Sequence, residues 1–241
     1  MKKMILAAAA LALTSGMGLA QTVRMGTEGA YPPYNFVNDA GEVDGFEREL
    51  GDELCKRAEL DCTWVKNDWD SIIPNLVSGN YDTIMAGMSI TPEREEVIAF
   101  SQNYTPPADS AYAALSDDAD IEGGVIAAQT GTMQAAHVAE TGAILLEFAT
   151  GDETIAAVKN GEADAVFADK DFLAPSVAES NGEMAWVGEA VPLGGGIGIG
   201  MRQSDTELKE KFDAAITAMK DDGTLNAMIQ KWFGEDAKIF E

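Results

Sequence analysis

The chain reads as an α/β protein of two comparable lobes, each a largely parallel sheet covered by helices on both faces. Three observations predict this. Between Val23 and Ala86, short apolar runs alternate with stretches of helical spacing in the order β-α-β-α-β. The same alternation returns between Val125 and Asp169. The two units also share a phrase: residues 79–86 and 161–168 both read Gly-x-x-Asp-x-apolar-apolar-Ala, entering a strand after a helix. Chance likeness of helix-to-strand turns is the competing account of that echo. A chain of 241 residues is long enough for one large domain or two small lobes.

The N-terminus sets the compartment. Lys2 and Lys3 form a basic n-region, Met4 to Leu13 an apolar core, and Gly18-Leu19-Ala20 a small-x-small cleavage site. Residues 1–20 are therefore expected to be a secretory signal peptide, a buried helix being the alternative. The apolar core is too short to span a bilayer. No Cys follows it to carry a lipid, and no later apolar run is long enough to cross a membrane, so residues 21–241 are expected to be soluble and exported. Losing Lys2 and Lys3 takes the formal charge from −25 to −27. So acidic a surface argues against nucleic acid or an anionic membrane as partner. Two cysteines and one histidine make a poor set of metal ligands, so neither structural zinc nor a cofactor is expected.

In the first unit, residues 23–26 form a strand that leads into the loop of residues 27–34. Phe46, Leu50 and Leu54 recur at helical spacing and mark an amphipathic helix ending near Cys55. A second strand covers residues 62–65. Export permits a disulfide between Cys55 and Cys62, whose short separation suits a clip between helix end and strand. Asp68 or Asp70 caps the next helix, which carries Ile72, Ile73, Leu76 and Val77 and closes at Gly79; Pro74 lies early enough to be tolerated. Residues 81–86 form the third strand. After the turn at Gly87, Met88 and Ser89, Thr91 is a good N-cap and Pro92 suits the first helical position. Free backbone N–H groups at such a terminus attract anions. Arg94 adds a planar fork of donors that matches a carboxylate; a solvated surface charge is the plainer account.

In the second unit, residues 125–128 form a strand running into Gln129-Thr130-Gly131-Thr132 and a helix through Ala136 and Val138. A strand over residues 144–148 follows. Residues 150–153 form a capping box for a helix with Ile155 and Val158, and a strand over residues 164–168 ends in Asp169. The glycines of residues 192–201 make no phosphate loop, because no Gly-Lys-Ser/Thr follows. They suit a flexible connector leading into a strand. Residues 204–207 read as another capping box, opening a helix with Leu208, Phe212, Ile216 and Met219 that stops at Gly223. A last helix buries Leu225, Met228, Ile229, Trp232 and Phe233.

Gly26-Thr27-Glu28 with Tyr31-Pro32-Pro33-Tyr34, Asp44-Gly45-Phe46-Glu47, Glu53-Leu54-Cys55-Lys56-Arg57, residues 89–94, Gln129-Thr130-Gly131-Thr132, and Asp222-Gly223-Thr224 with Lys231-Trp232-Phe233 now fall into place. In this order and spacing, over nearly the whole exported chain, they resemble the polar amino-acid binding proteins of bacterial ABC importers (solute-binding protein family 3). The likeness is to the branch that binds lysine, arginine, ornithine and histidine. It implies a type II periplasmic binding protein: two lobes, residues 21–107 with 196–241 and residues 108–195, each a mixed, mostly parallel sheet flanked by helices. Two hinge strands would lie near residues 105–109 and 191–196. It further implies a periplasmic monomer that delivers a free amino acid or derivative to a membrane permease, and a disulfide joining Cys55 to Cys62.

The resemblance also implies a site. Arg94 would grip the ligand α-carboxylate, helped by the N–H groups of Ser89 and of Thr132 or Met133. Asp169 would pair with the α-ammonium, with Ser89 Oγ and the Gly87 carbonyl as further acceptors, and Met88 and Gln129 complete the lining. Tyr31 and Trp69 would flank the ligand side chain, and Glu28 stands where that branch places an acid against a cationic side chain. Each has a plainer reading: Tyr31 and Trp69 as core, Asp169 as a helix cap, Glu28 as surface. The chain departs from the branch in having Ala86 and Gly87 where serines are common, and Met133 where a hydroxyl is common. A competing function is a lyase on the same scaffold, resembling an arogenate or cyclohexadienyl dehydratase. That needs a general acid of tuned pKa. Glu28 or Asp169 could serve, but His137 is the sole histidine and no nucleophile–base pair is visible.

Overall fold

The computed structural model describes residues 22–241, so the expected signal peptide, residues 1–20, lies outside the described residues. The first strand, β1 (Thr22–Thr27), buries Val23, Met25, Gly26 and Thr27, as a strand covered on both faces must. A small antiparallel sheet follows: β2 (Ala30–Tyr31), β3 (Asn35–Val37) and β4 (Val43–Asp44). In α1 (Phe46–Arg57), Phe46, Leu50 and Leu54 are fully buried, as their spacing predicts. Each such side chain contributes about 1.5–3 kcal/mol. β5 (Asp61–Lys66) pairs parallel with β1, and Cys55 is bonded to Cys62 with their Cα atoms 6.2 Å apart.

Asp68 then occupies the N-cap of a 3-10 turn (Trp69–Ser71) without making a cap bond. That turn runs into α2 (Ile72–Val77). The third strand, β6 (Thr83–Ile84), is shorter than expected, although Asp82 and Met85 still donate to β1 carbonyls at both its ends. α3 (Pro92–Glu95) has Pro92 at its start and the Thr91 hydroxyl accepting from the Arg94 N–H at 3.4 Å. β7 (Ala99–Phe100) ends this segment.

The second sheet holds β8 (Asp109–Ala114), β9 (Val125–Gln129), β10 (Ile144–Phe148), β11 (Ala165–Asp169) and β12 (Ala185–Pro192). Its helices are α4 (Met133–Ala139), α5 (Gly151–Lys159), with the expected capping box at Thr150 and Glu153, and α6 (Lys170–Glu179). The chain then returns to the first sheet through β13 (Gly200–Met201) and closes with α7 (Thr206–Asp221) and α8 (Thr224–Phe233). The capping box expected at residues 204–207 is absent. The Asp205 carboxylate pairs with Arg202 at 2.8 Å, leaving the first turn of α7 uncapped by a side chain.

The two sheets follow one scheme. Their orders are β5-β1-β6-β13-β7 and β10-β9-β11-β8-β12. In each, three parallel strands continue into an antiparallel pair. The sequence echo has a structural meaning. Asp82 accepts the Arg24 N–H at 3.0 Å and donates its own N–H to the Arg24 carbonyl at 2.8 Å. Asp164 does the same with Val125, at 2.7 and 2.8 Å. Each Asp fastens the incoming strand to the middle one of the three parallel strands in its sheet, and each preceding glycine takes a positive φ of 84° or 76° that an L side chain rarely adopts. The chain passes between the sheets after β7 and again after β12. These crossings meet where the Tyr104 N–H donates to the Ile197 carbonyl at 2.8 Å.

Candidate functional site

A small cavity lies where the C-terminal ends of the parallel strands face each other, the usual place for a ligand in open α/β sheets. The first-sheet side contributes Glu28, Tyr31, Trp69, Ala86, Gly87, Ser89 and Arg94. The second-sheet side contributes Gln129, Thr132, Met133, Gln134 and Asp169. Of the residues the sequence singled out, Met88 does not line it. Its side chain is fully buried in the cluster of Ile72, Leu76 and Ile84, and its carbonyl accepts from the Gly198 N–H, because the chain bends at Gly87, whose φ is 61°, and turns the Met88 side chain into the core. Ala86 and Gln134 are additions.

Arg94 donates to the Ser89 carbonyl at 2.7 Å and, from the other side of the cavity, to the Gly131 carbonyl at 3.3 Å. Its guanidinium carbon sits 5.3 Å from the centre of the Trp69 ring. Burial lowers its pKa to about 10, so it stays charged at neutral pH. Asp169 stands at the N-cap of α6 but makes no cap bond. Instead its carboxylate accepts from the Tyr31 hydroxyl at 2.7 Å and the Gln134 amide at 3.0 Å. Only 7% of it is exposed, and burial raises its pKa to about 6 against the pull of those donors and of Arg94.

Glu28 is 3% exposed, which rules out the plain-surface reading. Its carboxylate accepts from the Gln129 amide at 2.7 Å, and that amide is fixed by a second bond to the Ala149 carbonyl at 3.0 Å. Burial raises Glu28 to about 7, with Gln129 pulling it back and the charges of Asp152 and Glu47 pushing it further up. Tyr31 stacks on Phe172 of α6, ring centres 4.1 Å apart. Trp69 is both core and wall: it packs with Ile72 and Leu76, and its indole N–H donates to the Thr130 carbonyl at 3.1 Å. The Thr132 hydroxyl caps α4 by accepting from the Ala135 N–H, and it donates to the Gln129 carbonyl at 2.7 Å.

Trp69–Thr130, Arg94–Gly131, Tyr31–Asp169 and Glu28–Gln129 all join first-sheet segments to second-sheet segments. The cavity is thus closed, and its lining holds two carboxyls and one guanidinium. His137 lies apart from it, 5.3 Å from the Phe167 ring. Among the described residues no cluster of His, Cys, Asp and Glu could hold a metal ion, and no helix is long and apolar enough to cross a membrane.

Two alike α/β units, joined by paired crossings and closing on a small charged cavity, define a solute-binding protein. The chain belongs to the bacterial extracellular solute-binding proteins, family 3, whose profile matches residues 23–235. It is similar to a structure of a periplasmic His/Glu/Gln/Arg/opine family-binding protein from Silicibacter pomeroyi in complex with lysine. That similarity is 74% identity and a TM-score of 0.89, over 90% of this chain and 100% of that one. It is 33% identical to the lysine/arginine/ornithine-binding periplasmic protein of Escherichia coli, over 97% of each chain. It is 31% identical to the octopine-binding periplasmic protein of Rhizobium meliloti, over 95% of this chain and 96% of that one. These relatives bind rather than transform their ligands. The chain is accordingly a binding protein and not an enzyme, and the dehydratase alternative is not favoured.

Proposed function

We propose that this protein captures an α-amino acid with a cationic side chain, of which lysine is the type, and hands it to the permease of an ABC importer. The observation that carries this reading is the charge of the closed cavity: half-buried Arg94 against buried Glu28 and Asp169. One positive and two negative groups leave a deficit of one positive charge. An amino acid with a cationic side chain, carrying one negative and two positive groups, is its complement. The α-carboxylate goes to Arg94 and to the N–H groups of Ser89 and of Thr132 or Met133. The α-ammonium goes to Asp169, Ser89 Oγ and the Gly87 carbonyl, and the side chain runs between Tyr31 and Trp69 toward Glu28. The lysine in the Silicibacter pomeroyi structure supports the reading.

The lobes of this reading are residues 21–107 with 196–241 and residues 108–195, hinged near residues 105–109 and 191–196, and closure is a rotation about those crossings. The protein works as a monomer and in the periplasm, the latter in keeping with its periplasmic relatives. Calorimetry with lysine, arginine, ornithine, histidine, octopine, glutamine and glutamate tests the ligand class. A cationic ligand binds most tightly; glutamate binding best overturns the reading.

A further inference from the structure

Glu47 is the second residue of α1, has no exposed surface, and does not line the cavity. A buried carboxyl without a task is costly, and the site described above gives it none. Its contacts lead to three segments that matter. Oε1 accepts the Gly87 N–H at 2.7 Å and also the Tyr104 hydroxyl. Oε2 accepts the Asn35 amide at 2.7 Å, and the oxygen of that amide accepts the Gly29 N–H at 2.7 Å. Gly87 lies between the lining residues Ala86 and Ser89, and Gly29 follows Glu28. Tyr104 adjoins the crossing between the sheets, where its N–H meets Ile197.

The direction of this chain of hydrogen bonds is forced. Both ends are backbone N–H groups, which can only donate. Asn35 must therefore accept from Gly29 with its oxygen and donate with its nitrogen. Residue 47 must then accept on both of its terminal atoms, which a carboxylate does and an amide cannot. Gly29 and Gly87 have φ of 69° and 61°, so the turns they fix depend on being held. Burial pushes the Glu47 pKa up, and its three donors pull it back.

We infer that Glu47 is a positioning residue, which sets ligand affinity by holding the Glu28–Tyr31 turn and the Gly87–Ser89 turn to the crossing at Tyr104. The inference rests on the site proposed above. Because Glu47 holds both turns and reads no side chain, its loss weakens every ligand alike.

The test is Glu47→Gln together with Glu47→Gln/Asn35→Asp, measured by calorimetry with lysine and with glutamine. Glu47→Gln opposes two donors and lowers affinity for both ligands about tenfold. In the paired variant the new amide at position 47 donates to the new carboxylate at position 35, and that carboxylate accepts the Gly29 N–H. Every donor is satisfied again and binding returns. Amide exchange at Gly29 and Gly87 speeds up in the single variant and recovers in the paired one. Wild-type affinity in folded Glu47→Gln overturns the inference. So does a folded paired variant that binds no better than the single one; if the single variant fails to fold, the paired variant must bind lysine as wild type does or the inference falls. Failure of the wild-type protein to bind any amino acid sinks the proposed function instead, and the amide exchange still reads the hub.

Discussion

Glu28→Gln removes one charge from the cavity while keeping its shape and its contact with Gln129. In the closed cavity burial carries the Glu28 carboxyl from 4.5 to about 7. That displacement corresponds to about 3 kcal/mol opposing closure over an ionised Glu28 at neutral pH and above. A ligand cation offsets that penalty; a neutral ligand does not. Glu28→Gln therefore acts with opposite signs. Lysine loses a charge-assisted hydrogen bond and binds about 1–3 kcal/mol more weakly, whereas glutamine binds as well as before or better, because the penalty for closing is gone. The sign of the pH dependence follows from the raised value. A cavity closed over a neutral ligand holds a proton on Glu28 below about 7, whereas the open form releases it at the ordinary 4.5, so a neutral ligand closes the cavity with uptake of a proton. Glutamine affinity in the wild type thus falls as pH rises from about 4.5 to about 7 and levels off above it, while lysine, which keeps Glu28 ionised, shows no such fall. In the variant the fall for glutamine is gone. Calorimetry with both ligands across this range decides. Unchanged lysine affinity in Glu28→Gln, or a glutamine fall that persists in it, would refute the argument that this carboxylate reads the ligand's charge.

Two further outcomes are expected. Arg94→Ala and Asp169→Ala each weaken lysine binding by at least about 2–3 kcal/mol, since each leaves a buried ligand charge unpaired; near wild-type affinity in either, by calorimetry, removes that residue from the clamp. Cys55→Ala/Cys62→Ala lowers unfolding stability by about 2 kcal/mol on the chain-entropy account of so short a loop. Denaturant titration showing equal stability would mean that the clip does not constrain the unfolded chain.

The sequence was most legible where local chemistry and long-range structure agree. Phe46, Leu50 and Leu54 wrote out the buried face of α1, and Thr91-Pro92 wrote out the start of α3. The Gly-x-x-Asp phrase marked a real repeat, because the Asp makes the same bond to the same strand in both sheets. The helix α6 was legible only as the helix that Asp169 would cap, without its extent. It carries Pro175 inside it and buries the adjacent Phe172 and Leu173, so no helical spacing shows. The strands β8 and β12 went unread because β8 is held by small buried residues and β12 is largely exposed and bulged between Val187 and Val191. At residues 204–207 the capping letters were present, but α7 starts one residue later than the box requires: Asp205 takes the N-cap position, and the Ser204 hydroxyl bonds its carboxylate. Met88 was assigned to the site and points away from it, since the bend at Gly87 turns its side chain into the core beside Ile72 and Leu76. Gln134 was missed because an amide in a first helical turn carries no signal until Asp169 is seen beside it.

The strand order also dictates a timetable. All five strands of the second sheet lie within residues 109–192, an uninterrupted stretch. The first sheet is different: β13, at residues 200–201, is the link between β6 and β7. Phe46 of α1 waits for Phe233, 5.1 Å away in the finished protein, and Arg57 waits for Asp222. A chain that emerges N-terminus first therefore presents its earliest sheet as an unfinished edge while the later one completes itself. The younger half becomes the scaffold on which the older half is finished. Nascent chains stalled before residue 200 should show protease protection across residues 109–192 and none across residues 22–107; protection of the earlier half first would reverse that order.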